Sequence, residues 1–228
     1  VGSPMGAGAP NLSASYINEQ IDLSLKRLQT EYVDVYFSHK YDDSTPQRET
    51  LSVYKNLINA GKVRHIGASN FPLAILREAI ALSKEDSLPR YEVIQPEYNL
   101  MERSGFEGGY QRFCVENELS VTSYFTLASG FLTGKYDSKD AAAGKDREPF
   151  LKKYFNDKGE AVLKALKKIA HKYQVSEAAV TLAWTMAQPG ITSPIASATK
   201  KEHLQAFDEA LLLNLDQEDQ DRLNSASK

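Results

Sequence analysis

TPQRETLSVYKNLINAGKVRHIGASNFPLAILREAIALSKEDSLPRYEVIQPEY, residues 45–98, decides the fold class. It reads helix, strand, helix, strand. Thr45 is a plausible N-cap, and Pro46 suits the first helical position, where its missing N–H removes nothing a helix needs. Gly61 is a C-terminal stop. VRHIGAS is a short strand bounded by turn residues, FPLAILREAIALSKE spaces its apolar residues as a helix, and YEVIQPEY is the next strand.

The alternation continues on both sides. Upstream, SYINEQIDLSLKRLQ puts Ile17, Ile21, Leu25 and Leu28 on one helical face, with Ser13 or Ser15 as its cap. YVDVYFSH follows as a strand that ends on His39. Before these, VGSPMGAGAPNLSAS has loop composition. Downstream, FEGGYQRFCVENE is a helix and LSVTSYF a strand. An irregular stretch from about Thr126 to Phe155 includes the loop-like DSKDAAAGKDREP. GEAVLKALKKIAHKYQ and SEAAVTLAWTMAQ are helices, the second capped by Ser176. ITSPIAS is the last strand. KKEHLQAFDEALLL and DQEDQDRLNSAS close the chain as helices, with Asp216 capping the last.

Five strands result, over 33–38, 63–67, 92–96, 120–124 and 191–195. Each is too apolar to have a wet face, and helices separate them, so they form a parallel sheet covered by helices. In such α/β folds, ligands bind at the carboxyl ends of strands. The strand ends here carry His39, Ser69 and Asn70, Gln95, Tyr124 and Ser197. A dinucleotide-binding doubly wound domain needs GxGxxG after its first strand, and only GASNFP and SGFLTG are present. GFLTGKY and the opening loop both lack the spacing of a phosphate loop. A (β/α) barrel fits better.

Composition narrows the function classes. At 228 residues the chain can be one large α/β domain, and it is read as a single domain over 1–228. A net charge of −3 has no basic excess, which argues against nucleic acid as a partner. No apolar run approaches the roughly 20 residues of a membrane span, and no secretory signal opens the chain. The single Cys114 excludes an internal disulfide and fits a reducing, cytoplasmic setting. No His/Asp/Glu grouping has metal-ligand spacing, so no metal is expected. His39 alone has three readings: a satisfied structural residue, a metal ligand or a proton donor. Asn70 and Gln95 alone read equally well as strand-end hydrogen bonders, and Tyr124 as core. His65 and His171 read as structural or solvated, and Cys114 as packing.

GKVRHIGASNF, VIQPEYNL, LASGFLTGKY and PIASATKKEHL resemble signature segments of the aldo-keto reductases, and RLQTEYVDVYFSHK resembles the strand that carries the family's catalytic histidine. The resemblance covers nearly the whole chain in order. The nearest branch is that of the bacterial and fungal oxidoreductases related to potassium-channel β subunits. It implies an aldo-keto-reductase-type (β/α)8 TIM barrel, truncated here to about five parallel strands, that binds NADP(H) and reduces a small-molecule carbonyl to an alcohol. In the family a Tyr donates the proton, a Lys and an Asp lower its pKa, and a His orients the carbonyl. By resemblance, His39 is that histidine. Ser69, Asn70 and Gln95 take the nicotinamide carboxamide, and Tyr124 stacks on the ring. Leu127, Ser129 and Gly130 follow the pyrophosphate, while Ser197, Ala198, Thr199 and His203 fall at the adenosine end.

Three departures qualify that expectation. The family's Asp, Tyr and Lys fall on the part corresponding to the first three barrel strands, ahead of Val1. Activity is therefore expected to be impaired, and the alternative is a truncated, inactive binding or regulatory protein. The family's YSPL reads Tyr124, Phe125, Thr126, Leu127, and Ala206 and Phe207 stand where Glu and Asn are usual, so altered cofactor binding is expected. An open sheet also exposes its edges, which self-association would cover.

Overall fold

The computed structural model describes residues 1–2, 9–136, 138, 143–144 and 147–228. The loop readings of VGSPMGAGAPNLSAS and DSKDAAAGKDREP lie in part outside the described residues. Five parallel strands form one sheet in chain order: β1 (Val33–Ser38), β2 (Val63–Ser69), β3 (Tyr91–Gln95), β4 (Ser120–Ser123) and β5 (Ser193–Pro194). Five parallel strands in chain order match part of the sheet of a (β/α)8 barrel. The helices are α1 (Ala14–Leu28), α2 (Gln47–Asn59), α3 (Leu73–Glu85), α4 (Gly109–Glu116), α5 (Glu148–Leu151), α6 (Asp157–Tyr173), α7 (Glu177–Met186), α8 (Gln205–Leu212) and α9 (Gln217–Ala226). The chain separates into two compact units, Val1–Pro96 with Phe113–Val121, and Glu97–Arg112 with Thr122–Lys228.

In the first unit, α1 buries Ile17, Ile21 and Leu25 as its spacing predicts, while Leu28 ends exposed. Ser13 holds the cap position without making a cap bond, and the Ala14 N–H donates to Glu49 Oε1 at 3.0 Å. Thr45 does not cap α2. Pro46 occupies that position, because the Thr45 hydroxyl donates to the buried Asp42 carboxylate at 2.6 Å. Gly61 ends α2 in the left-handed region, at φ 72°. At the carboxyl end of β1, Ser38 Oγ lies 2.7 Å from Tyr54 Oη of α2 and 3.3 Å from Tyr91 Oη of β3. Three buried hydroxyls thus satisfy one another and fix that end of the sheet. The opposite ends of β1–β3 are wetter than their apolar reading suggests. Arg64 reaches Asp34 at 2.7 Å and His65 reaches Glu92 at 3.0 Å, with all four side chains at least half exposed or nearly so.

The second unit is organised around Trp184, which is fully buried on α7. Its indole N–H donates to Asn224 at 3.1 Å, and its ring stacks on Tyr98 with centroids 5.6 Å apart. Arg103 lies over the indole at 5.4 Å and forks onto Glu107 at 2.7 and 3.1 Å, tying the segment after β3 to α7 and α9. Ser176 and Asp216 cap α7 and α9 as expected, accepting from the Ala179 and Asp219 N–H groups. Asn156 caps α6 through Gly159, which the sequence reading missed. β5 contracts to Ser193–Pro194, because proline has no N–H for the ladder. The Ile195 N–H resumes the pairing, donating to the Ser123 carbonyl at 2.8 Å.

Candidate functional site

The first unit carries the rim made by the ends of β1, β2 and β3. Ser69, the buried last residue of β2, donates its hydroxyl to the Gln95 carbonyl at 2.8 Å. Asn70 turns sharply in the left-handed region at φ 56°, and its amide donates to the His39 carbonyl at 2.9 Å and to Ser69 Oγ at 3.0 Å. Ser69 and Asn70 therefore act as strand-end hydrogen bonders, linking the main chain at Gln95 and His39. The His39 imidazole is exposed, and its own N–H main-chain group donates to the Val1 carbonyl at 2.7 Å. Partial burial, with the positive charge of Lys40 nearby, holds the His39 pKa below its ordinary value. The imidazole is therefore mostly uncharged at neutral pH.

The second unit contains a cavity of about 1000 Å³. Six of the sequence-predicted residues line it: Leu127, Ser129, Gly130, Ser197, Thr199 and His203. The turn after β4 shapes one wall. Ala128, Ser129 and Gly130 take φ values of 46°, 58° and 95°, so three successive residues wind in the left-handed sense. Elsewhere in the lining the Thr199 N–H donates to His203 Nδ1 at 3.3 Å, which leaves Nε2 to carry the ring proton. Tyr124 is half-buried beside this turn, is not among the lining residues, and meets Phe125 edge-on with centroids 5.2 Å apart. Burial, then the Glu97 carboxylate, raises its pKa. The residues that depart from the family's cofactor segments, Phe125, Thr126, Ala206 and Phe207, all line the cavity.

Two cations that the sequence reading missed line the same cavity. A Cβ on Gly130 would stand 3.2 Å from Lys135 Nζ and 3.8 Å from Arg147 Nη1, so the two charges lie within about 7 Å of each other. Arg147 also donates to the Ser129 carbonyl at 3.3 Å. Neither cation has an acidic partner among the described residues. Two like charges held this close repel by about 0.6–2.4 kcal/mol, depending on how much water screens them. An anion bound between Lys135 and Arg147 would relieve that repulsion, while the Lys135 side chain itself packs over Gly130, its Cε 3.1 Å from where a Cβ would stand. Glu209, on the far side, is already engaged: burial opposes its ionisation, yet Ser176 and Gln205 hydrogen bonds hold its pKa below the usual carboxylate range. The signal for Lys135 was present in GFLTGK, but its spacing is not that of a phosphate loop. Arg147 sits in a stretch with loop composition.

Comparison with known proteins gives the lineage. The aldo/keto reductase family profile matches residues 4–228. The chain belongs to the aldo/keto reductase family. It is similar to the aldo-keto reductase YhdN of Bacillus subtilis, with 34% identity over 92% of this chain and 62% of that protein. It is 33% identical, over 91% of this chain and 67% of the other, to an Oryza sativa protein named "Probable voltage-gated potassium channel subunit beta". It is 31% identical, over 90% and 60%, to the Schizosaccharomyces pombe "Aldo-keto reductase yakc [NADP(+)]". The chain spans about three fifths of the length of the first curated relatives it matches. Cys114 is buried, as its packing role requires, and burial pushes its thiol up to about 12. Among the described residues no helix is long and apolar enough to cross a membrane, and no group of three His, Cys, Asp or Glu could hold a metal ion.

Proposed function

We propose that this aldo/keto reductase chain binds NADP(H) and serves the reduction of aldehydes or ketones to alcohols. The observation that carries the reading is the convergence of Lys135 and Arg147 over Gly130, within a cavity large enough for a nucleotide. These two cations hold phosphate oxygens, and the left-handed turn at Ser129 and Gly130 lets the backbone approach them. Thr199 and the Nε2–H of His203 supply further polar contacts. Bound there, NADPH supplies the hydride. For the first unit, taken by itself, the resemblance assigns His39 to orienting the carbonyl and Ser69, Asn70 and Gln95 to the carboxamide. The relative named as NADP(+)-dependent supports the choice of dinucleotide. The lone, buried Cys114 supports a cytoplasmic location.

A second reading, dinucleotide binding without redox chemistry, is favoured by one observation: Ser69 and Asn70 already engage the carbonyls of Gln95 and His39. The experiment that separates the two follows NADPH absorbance across a panel of aldehydes and ketones, alongside a binding titration. Carbonyl-dependent oxidation with alcohol formed supports the reductase. Binding without oxidation supports the second reading. Neither binding nor oxidation rejects both.

A further inference from the structure

Beside Tyr124, and outside the cavity, three charged side chains form a cluster that the reading above does not use. Lys153 Nζ bonds Glu102 Oε1 at 2.6 Å and lies 4.0 Å from Glu97 Oε1, over the Tyr154 ring at 4.9 Å. One ammonium thus serves two carboxylates, and it favours Glu102. Glu97 is left with the surplus negative charge. It is held next to Tyr124 by the backbone: the two residues form a parallel bridge, reinforced by the Tyr98 N–H donating to the Tyr124 carbonyl at 3.3 Å. Residues paired across a parallel ladder present their side chains to the same face. The groups that face Glu97 are therefore Lys153, Glu102, Tyr124 and Tyr154.

We propose that Glu97, only partly compensated by Lys153, biases this site toward the oxidised, positively charged nicotinamide ring over the neutral dihydro ring. The inference rests on the reading that Tyr124 stacks on the nicotinamide. A carboxylate attracts a ring bearing a full positive charge and is nearly indifferent to a neutral one. Glu97 therefore acts as a positioning charge that sets the ratio of affinities for NADP+ and NADPH. Lys153 opposes it, and Glu102 modulates both by drawing Lys153 away.

The test is calorimetric titration of the 228-residue chain with NADP+ and with NADPH, for the wild type, Glu97→Gln and Lys153→Met. Glu97→Gln keeps the shape of the side chain and removes its charge. It should weaken NADP+ relative to NADPH by more than about twofold and up to about thirtyfold, the range for one charge acting over roughly 8 Å between the screening of bulk water and that near a protein surface. Lys153→Met should shift the ratio the other way by a similar factor. A structural loosening would move both cofactors together, so ratios equal within twofold across the three proteins, or two variants shifting the ratio in the same direction, overturn the inference alone. Absence of binding by any of the three proteins overturns the dinucleotide reading itself.

Discussion

Asp42 holds the turn that follows His39, and replacing it with Asn should destabilise the protein by about 3 kcal/mol at pH 7. The side chain is 3% exposed and accepts four hydrogen bonds. Oδ2 takes the Leu12 N–H at 2.8 Å and the Thr45 hydroxyl at 2.6 Å, while Oδ1 takes the Ser44 N–H at 3.0 Å and the Ser44 hydroxyl at 2.5 Å. An amide keeps one acceptor oxygen and turns an NH2 toward two donors. Two bonds to a charged acceptor, each contributing about 1.5–3 kcal/mol, are then lost or reversed. The pH dependence gives a second handle. Burial opposes ionisation of Asp42, yet hydrogen bonds from Ser44, Thr45 and the Leu12 and Ser44 N–H groups bring its pKa down to about 2. The unfolded value is about 3.9. A depressed carboxyl pKa adds stability that is fully present above the unfolded value and disappears as pH falls through the folded one. Here it amounts to about 2 kcal/mol after solvent screening, roughly half of it gone by pH 3. Urea unfolding of wild type and Asp42→Asn at pH 7 and pH 3 checks both parts. The gap between the two proteins should narrow by about 1 kcal/mol at the lower pH. A gap under about 0.5 kcal/mol at pH 7, or one that widens in acid, would refute the reasoning.

Asn70→Ala should cost about 1–2 kcal/mol in urea unfolding, from the lost bond to the His39 carbonyl and the left-handed φ of 56°; Asn70→Gly, which relieves only the backbone strain, should recover about half. Gly67→Ala should cost about 1–3 kcal/mol, because a Cβ there would stand 2.5 Å from the Phe37 ring and 2.9 Å from the Val93 carbonyl oxygen. Adding Phe37→Leu should restore part of the loss in a thermal melt. Cys114 should resist a thiol-reactive maleimide at pH 7 in the folded protein and react once urea is added, since its thiol is buried and raised to about 12.

The alternation of helix and strand over residues 45–98 was enough to read a parallel sheet covered by helices, because apolar period and turn residues are local signals. Ser176 and Asp216 were legible as caps for the same reason. Thr45 was misplaced because a buried carboxylate three residues upstream competes for its hydroxyl, and burial of Asp42 depends on Leu12, distant in sequence. Six of the twenty-two residues lining the cavity followed from strand ends and family resemblance. Lys135 and Arg147 did not, because their meeting point over Gly130 arises from three successive left-handed residues, which sequence marks only at the glycine. The Glu97, Glu102 and Lys153 cluster was equally hidden, since Lys153 is brought in from more than 50 residues away in sequence.

The most direct measurement is a fluorescence titration of NADPH with the wild-type chain and with the Lys135→Ala, Arg147→Ala double variant at low and moderate salt. Each exposed cation should contribute about 1 kcal/mol to holding phosphate, so the pair amounts to about thirtyfold in affinity. The account predicts saturable binding by the wild type, weakened about thirtyfold in the double variant, with a flatter dependence on salt. No binding by the wild type, or equal affinity in the two proteins, would contradict the claim that this cavity holds the dinucleotide.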